Sequence, residues 1–590
     1  MRLLSHWHEL SLMFTEGIVI LLVTAFCLVA SRKLQFLDRL STRFRDFARE
    51  RRLAVLSVFL FTLLLRVAAW PVRPVQLPYI HDEFSYLLLA DTFAHGHLTN
   101  PTHPLWKHFE SFHIIQHPVY ASVYPIAQGV FLAAGQVLAG APWVGVWISV
   151  ALMCAALCWM LQGWLPPAWA FAGGLLAAIR IGMFSYWSNS YWGGAAAALG
   201  GALLLGALPR IMRRPKAVHV AVFAIGVVIL ANSRPYEGFV LCLAVAPVAA
   251  AWQFGWNRIL KFLGLPSRSG ASNRAGVKVF VPGLVILIVA GAFMGYYFQR
   301  ITGSPLEMPF SLERQQYGIA PAFIWQHDRV VPPHYNNQVM EFFYRNLETN
   351  RTYAPLKVVC YWMFFLGPVL TIPFLSLPRL ISDHRTRLLL ILTAVGIPTV
   401  TVINWGNAHY FAPFVPALYA VLLQGMRHIS VWGRRYKMSH PTYASFRWVI
   451  PGVVVVMIAA PFAAYALRLD IPIWPQTWAS PTPPPTARTE ITQSLNKIAG
   501  RHLIIVRYHP GHNIHEEFVY NDANIDAAKI VWARSIDERS DQELMRYFSG
   551  RQVWFMDAAH QITVVPYTAP APVSAATRDN SALAAPHAVN

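Results

Sequence analysis

Residues 79–118, YIHDEFSYLLLADTFAHGHLTNPTHPLWKHFESFHIIQHP, concentrate the groups able to do acid–base or ligand chemistry. Asp82 and Glu83 are adjacent carboxylates at the start of a stretch, Phe84 to Ala94, that reads as a helix. Neighbours on a helix point about 100° apart, so the two cannot face each other as acid and base. One can face a cavity while the other holds a cation, a partner or a backbone amide. A helix N-terminus favours a carboxylate by about 0.3–1 kcal/mol, so plain capping is the competing reading. The apolar residues Phe84, Leu87 and Leu88 beside the pair suggest a helix lying on a membrane, where a spare carboxylate is costly. The same stretch carries seven of the 22 histidines: His81, His95, His97, His103, His108, His113 and His117. Glu110 and His113 stand at i, i+3. Such clusters bind divalent metals, but the spacing matches no closed zinc signature. A divalent metal is therefore a candidate cofactor without an assigned ligand set. Contacts from these histidines to phosphate or sugar hydroxyls are the other reading.

Three further segments offer polar groups. Segment 182–194 carries Tyr186, Trp187, Asn189, Tyr191 and Trp192, which can stack on and hydrogen-bond to sugars or form an interfacial aromatic belt. Segment 232–238 sets Arg234 and Glu237 at a helix boundary. Arginine suits a phosphate through bidentate contact, and an ion pair between the two is the alternative. Segment 404–413 places His409 and Tyr410 at the start of an apolar run. The loop 299–354 adds Arg300, Glu307, Glu313, Arg314, His327, Asp328, Arg329, His334 and Arg345, among which no residue stands out. It reads as a lid or acceptor-binding segment.

The elements that must position these groups are membrane helices. Of 590 residues, 55% are hydrophobic and 13% charged, with a mean hydropathy of +0.39. A soluble domain carries roughly 25% charged residues, so an ordinary cytosolic enzyme, a disordered chain and collagen are excluded. The 21 tryptophans suit interfacial anchors. The net charge of +20 fits cationic cytoplasmic loops better than nucleic-acid binding. The five cysteines all fall in apolar runs, which argues against a disulfide framework or a cysteine zinc site.

The first apolar run, Leu10 to Ala30, reads as a retained membrane helix, and the eight basic against three acidic residues of 31–52 mark a cytoplasmic segment. The span at 53–70 then runs outward and leaves 71–118 outside. Further spans are expected near 119–140, 143–163, 167–181, 193–209, 217–232, 237–254, 279–298, 355–377, 388–404, 409–425 and 448–467. Basic loops at 210–216, 256–278, 379–387 and 427–447 place 182–192, 233–236, 299–354, 405–408 and the C-terminus outside. Strict alternation would put 182–192 inside. The conflict resolves if one segment, with 119–140 as the candidate, is re-entrant or lies along the surface. The expected fold is thus a polytopic all-α membrane protein of about 12–13 transmembrane helices with a small C-terminal soluble α/β or α+β domain. Its divisions are 1–51, an N-terminal helix and basic segment; 52–468, the transmembrane domain; 469–487, a Pro-rich linker; 488–567, the soluble domain; and 568–590, a disordered tail rich in Ala and Pro. Strands are expected at Leu503–Tyr508, Glu517–Tyr520, Ile530–Ala533 and Gln552–Met556, with a helix at Asp541–Tyr547. This domain is expected to fold alone.

An external loop that opens Asp-Glu, continues as DEFSYLLLADTFAHG and reaches a Pro-Val-Tyr/Tyr-Pro segment resembles that of the GT-C superfamily of integral-membrane glycosyltransferases. These include protein O-mannosyltransferases, the lipid A aminoarabinose transferase and bacterial transferases of lipopolysaccharide sugars. The resemblance spans about 52–468 and is specific in the loop. It implies a polyprenyl-phosphate-sugar donor, and a loop carboxylate that activates the acceptor or coordinates a metal. Asp82 is then the first catalytic candidate and Glu83 the second. Arg234, Glu237, His409, Tyr410, Tyr191 and His113 are candidate substrate-binding residues; the family often carries a His-Tyr or Arg-Tyr pair in the position of His409 and Tyr410. The acceptor is a lipid, glycan or protein, membrane lipids are partners and nucleic acid is not. The implied setting is a bacterial inner membrane with the C-terminal domain in the periplasm. No Gly-rich phosphate loop appears, which disfavours a nucleotide-sugar donor. Two other readings remain open. One is a transporter or flippase of lipid-linked solutes, against which the polar residues concentrate in loops and the halves do not match. The other is a non-catalytic assembly or sensor protein working through the tail residues His509, His512, His515, Glu516 and Glu517.

Overall fold

The computed structural model describes residues 2–29, 36–75, 77–266, 277–349, 354–435, 440–468, 486–509, 512–513, 516–558 and 561–567. The linker expected at 469–487 lies outside the described residues up to 485, as does the tail expected at 568–590.

Helices dominate the first 468 residues. In chain order, those that bear on the site begin with α1 (Arg2–Val29) and α2 (Arg51–Ala68), and then α3 (His81–Ala94). A small sheet follows, of β1 (Asn100–Pro101), β2 (Ile114–Ile115) and β3 (Val119–Ser122). Beyond it lie α4 (Ile126–Ala139), α5 (Pro142–Leu161), α6 (Ala195–Arg213), α7 (Pro235–Phe254), α8 (Val281–Thr302), α9 (Pro309–Gln316) and α10 (Gln338–Phe342). Among the described residues, five helices are long and apolar enough to cross a membrane: α5, α6, α7, α8 and Trp448–Ala466. A sixth span results if the bent pair Ala354–Phe365 and Gly367–Ser382 counts as one. The chain is a multi-pass membrane protein. Shorter apolar helices, among them α4, Met13–Val29, Ala217–Ala231 and Arg387–Thr401, occupy other expected spans.

Segment 119–140 is not one continuous span. It divides into β3 and the 14-residue α4. At 1.5 Å per residue α4 is about 21 Å long, short of a hydrocarbon core of roughly 30 Å. It turns at Gly140, whose φ of 66° suits glycine, and packs back along α5 with backbones in contact. A Cβ on Gly145 would fall 1.9 Å from the carbonyl oxygen of Phe131. The helical core beneath is built of small and aliphatic residues from many helices around buried Trp187, Tyr419, Phe365 and Phe414.

Outside the bundle, β3 is the centre of the antiparallel sheet β1-β3-β2, with Asn100 opposite Tyr120 and Ile114 opposite Ser122. The C-terminal part contributes α11 (Ala487–Asn496), β4 (His502–Arg507), β5 (Ile530–Arg534), α12 (Glu538–Tyr547), β6 (Gln552–Asp557) and β7 (Gln561–Pro566). Its sheet has the order β5-β4-β6-β7, with β4 parallel to both neighbours and β7 antiparallel to β6. Three expected strands and the helix appear within a few residues. Glu517–Tyr520 forms no strand. The Glu517 carboxylate instead takes the Val519 N–H at 2.9 Å, the Arg534 guanidinium at 2.7 Å and the Tyr508 hydroxyl, so side chains replace the ladder.

This sheet does not stand apart. Leu503, Ile505, Tyr520, Val531, Ala533, Leu544 and Phe548 share one apolar cluster with Leu88, Phe109, Ile114 and Tyr120 of the segment 79–122. The Phe84 and Tyr520 rings stack 4.1 Å apart. The Ala523 N–H donates to Asp91 at 2.8 Å, and Tyr120 donates to the Asn521 carbonyl at 2.9 Å.

Candidate active site

The N-terminus of α3 separates its two carboxylates. Glu83 turns inward and is consumed by backbone. Its Oε2 accepts the N–H groups of Tyr79 (2.8 Å) and Ile80 (3.1 Å), and its Oε1 accepts that of Tyr191 (2.9 Å). Three of the orphan donors that a chain turn leaves are satisfied by one side chain. Burial nevertheless pushes its pKa above the usual value. Glu83 therefore holds the helix entry and segment 190–192 in place, and it does not reach the cavity described below.

Asp82 faces the other way. It accepts the Tyr124 hydroxyl on Oδ1, and its Oδ2 lies 3.2 Å from His81 Nδ1. Burial would raise its pKa, but His81, His113 and Tyr124 hold it below the ordinary carboxylate range. His113 is fixed by its backbone. Its φ is 59°, an uncommon conformation outside glycine, and its carbonyl accepts the Ser85 hydroxyl at 2.6 Å. Its Nδ1 lies 3.7 Å from Glu313 of α9. Burial pulls the imidazole pKa down, and Glu313 and Asp82 together raise it above the usual value. Glu313 also accepts the Tyr344 hydroxyl.

These groups line one cavity of about 670 Å³. Four distant segments meet there: His81, Asp82 and His113 from the first loop, Arg234 and Glu237 from the start of α7, Glu313 and Arg314 from α9, and Trp405, His409 and Tyr410. The Arg234 guanidinium lies 4.2 Å from the Tyr410 ring centre. His409 Nδ1 is 2.9 Å from the Tyr186 hydroxyl, which also accepts the His409 backbone N–H at 3.0 Å. Much of the rest of the wall is apolar, with Met294, Tyr297 and Phe298 of α8 beside Met308, Phe310 and Phe323, while Asn232, Ser233, Ser311, Glu348 and Asn407 add polar groups.

Of the residues expected from sequence, Asp82, Arg234, Glu237, His409, Tyr410 and His113 reach this cavity, and Glu83 and Tyr191 do not. Tyr191 is buried among Tyr86, Leu132, Val146 and Trp147, and its carbonyl accepts Gln128 at 3.2 Å. The next residue, Trp192, lines the cavity instead, its ring 4.8 Å from that of His409. The sequence reading passed over Tyr124 and left Glu313 undistinguished. The Tyr-Pro motif closing the loop pattern was the one signal that pointed near Tyr124. In the tail, His509 pairs with Asp557 at 3.1 Å and Glu517 with Arg534, while His515 lies outside the described residues.

One oxygen of Asp82 and one nitrogen each of His81 and His113 lie within 4.8 Å of one another. Two imidazoles and a carboxylate suit a borderline divalent cation, so the donor set fits a metal.

No family model matches the chain, and no curated protein matches it. Several solved structures are similar in fold. ArnT from Cupriavidus metallidurans bound to undecaprenyl phosphate matches at 12% identity over 85% of this chain and 92% of that one, with a TM-score of 0.47. The Archaeoglobus fulgidus oligosaccharyltransferase tethered with an acceptor peptide matches at 11% identity over 76% of this chain, with a TM-score of 0.39. The match spans 61% of that chain's length. The archaeal oligosaccharyltransferase AglB from Archaeoglobus fulgidus in complex with an inhibitory peptide and a dolichol-phosphate gives 11% identity over 85% and 69% of the two chains and a TM-score of 0.34. At these scores no residue is carried across, and the functional reading rests on the chain's own cavity.

Proposed function

We propose that this protein is a membrane glycosyltransferase that moves a sugar from a polyprenyl-phosphate-sugar donor to an acceptor hydroxyl. The observation that carries the reading is that Asp82 and Arg234, from well-separated segments, line one cavity whose wall is largely apolar. A lipid phosphate needs that combination: an apolar lining for the chain and a cation for the phosphate. Arg234, with its fixed fork of donors, is the phosphate ligand. Trp192, His409 and Tyr410 border the sugar. Asp82, ionised and held by Tyr124 and His81, accepts the acceptor's hydroxyl proton. The acceptor oxygen forms a bond to the anomeric carbon, the bond from that carbon to the phosphate oxygen breaks, and the phosphate leaves with the electron pair. Arg234 offsets the charge that develops there. A divalent cation held by His81, Asp82 and His113 would add positive charge at the same place. Glu313 keeps His113 oriented, and Glu83 fixes the helix that presents Asp82. The setting is the outer face of a bacterial inner membrane, with the C-terminal domain in the periplasm.

The test is reconstitution of the purified chain in lipid with a panel of radiolabelled polyprenyl-phosphate sugars and an extract of envelope acceptors. Label moving from the lipid to a new product, and lost in Asp82→Asn, is the expected result. Label that stays on the lipid across the panel, or that crosses the bilayer unchanged, would remove the reading.

A further inference from the structure

A second cavity, of about 660 Å³, lies at the C-terminal sheet. The segment 335–348 borders both cavities: Gln338 and Glu341 line the second, and Phe343, Leu347 and Glu348 line the first. The sheet explains why a crevice exists. Strand β4, first in the chain, is flanked by β5 on one side and β6 on the other, and all three are parallel. The connection from β4 runs to β5 on one side and the connection from β5, through α12, returns past β4 to β6 on the other, so the strand order divides at β4. Open α/β sheets bind ligands at that divide. The cavity sits there, walled by Arg507 and Tyr508 from the end of β4, Arg534 and Ser535 from the end of β5, and Phe555 of β6.

The wall's chemistry selects the ligand. Helix α12 opens on this cavity with Asp537 as its N-cap and with Glu538 and Asp541 in its first turn. Three carboxylates offset the positive end of the helix, so the crevice disfavours a phosphate or another anion. Arg534 is buried, and Glu517 at 2.7 Å balances its charge. Its Nε and Nη1 nonetheless have no hydrogen-bond partner. Spare donors on a neutralised guanidinium call for uncharged oxygens. The Gln338 amide can both donate and accept, Glu538 accepts, and the Tyr508 and Phe555 rings offer flat faces. A hydroxyl-rich ring meets all of these at once. The volume lies within the roughly 300–1,000 Å³ of small-ligand sites.

We propose that this cavity binds a neutral saccharide, and that the saccharide is the acceptor chain of the transfer reaction. The second half of this statement rests on the function proposed above; the first half does not. The test uses the full-length protein in detergent, fluorescently labelled, on a printed array of neutral and acidic oligosaccharides. Binding to a neutral class is expected. It should weaken at least about tenfold in the triple variant Gln338→Ala, Arg507→Ala, Glu538→Ala, whose residues are all exposed. It should persist in Asp82→Asn and in excess inorganic phosphate. A blank array, binding unchanged in the triple variant, or displacement by phosphate overturns the proposal. A blank array with sugar transfer intact and dependent on Asp82 overturns this site alone. Saccharide binding with no donor consumed leaves the site standing and removes its link to transfer.

Discussion

Substituting the two adjacent carboxylates should produce opposite defects. In Asp82→Asn the amide oxygen still accepts the Tyr124 hydroxyl and the amide nitrogen can face His81, so the fold keeps its contacts. What is lost is the charge that takes the acceptor's proton. A positioned base contributes typically 10²–10⁴-fold, or about 2.7–5.4 kcal/mol at 1.36 kcal/mol per tenfold. In Glu83→Gln the loss is structural. The carboxylate accepts three backbone N–H groups through its two oxygens. An amide has one acceptor oxygen, so at least one buried N–H is left facing an NH₂ group, at a cost of about 1–3 kcal/mol. Transfer from a radiolabelled polyprenyl-phosphate sugar gives kcat, and unfolding followed by fluorescence-detected size exclusion gives stability. Asp82→Asn should lower kcat at least about 100-fold with Tm near wild type. Glu83→Gln should lower Tm and the yield of folded protein while the folded fraction keeps most of its kcat. A kcat for Asp82→Asn close to wild type refutes the assignment. If Glu83→Gln abolishes turnover at unchanged Tm, the base is Glu83 and the orientation of the helix entry argued here is wrong.

Arg234→Ala should raise KM for the lipid donor about 10- to 100-fold, the worth of a charge-assisted hydrogen bond, and a titration of initial rates against donor measures it. Trp192→Ala should weaken donor use while Tyr191→Phe should leave rates within about twofold, since only Trp192 lines the cavity; equal effects would contradict that placement. Burial raises the pKa of Glu110 above its ordinary value of about 4.3, against the hydrogen bonds from Tyr317 and Asn336. The folded chain then holds this proton to higher pH than the unfolded chain, so stability here is greatest below the ordinary value and falls as pH rises through the raised one. Amide exchange of residues 106–115 should quicken as pH rises, beyond its intrinsic dependence, and Glu110→Gln should abolish the excess. The isolated fragment 487–567 should bind a hydrophobic dye and aggregate, because Leu503, Ile505, Val531 and Ala533 lose their cover of Phe109 and Ile114; a sharp, dye-free amide spectrum would count against that packing.

Much of the site could be read from the chain because its surroundings are apolar. A charge beside a membrane helix needs a reason, so Arg234, Glu237 and His409 stood out from sequence and all reach the cavity. What could not be read depends on how distant segments pack. Whether Asp82 or Glu83 faces the cavity is decided by the backbone N–H groups of Tyr79, Ile80 and Tyr191, and one of these is more than 100 residues away. The choice between Tyr191 and Trp192 turns on the same packing. Glu313 looked like one solvated charge among many in the loop, and only the fold sets it beside His113. The soluble domain was legible as strands and a helix, since alternation and length are local. Its contact with the first loop was not, because partners such as Tyr120 and Asn521 lie 401 residues apart in the chain.

The composition of the first cavity bears on the choice between moving a sugar and moving a whole lipid. Its charges come chiefly from the first loop, the entry of α7, α9 and segment 405–410. A carrier that passes a polar headgroup across must solvate it along the whole path, at several kcal/mol for each unmet polar group. Here α8 contributes Met294, Tyr297 and Phe298 to the wall, which offer such a headgroup little. They do suit an isoprenoid chain whose phosphate stays at the surface beside Arg234. Several of its charged groups have close partners, Asp82 beside His81, Glu313 beside His113 and Arg314 paired with Glu348, which lowers the cost of a water-poor cavity. In a water-poor site a fixed carboxylate and a fixed guanidinium act on the reacting bond more strongly than they would in solvent. A largely apolar wall with a few fixed charges suits a transferase working on the end of a lipid better than a carrier of the whole molecule.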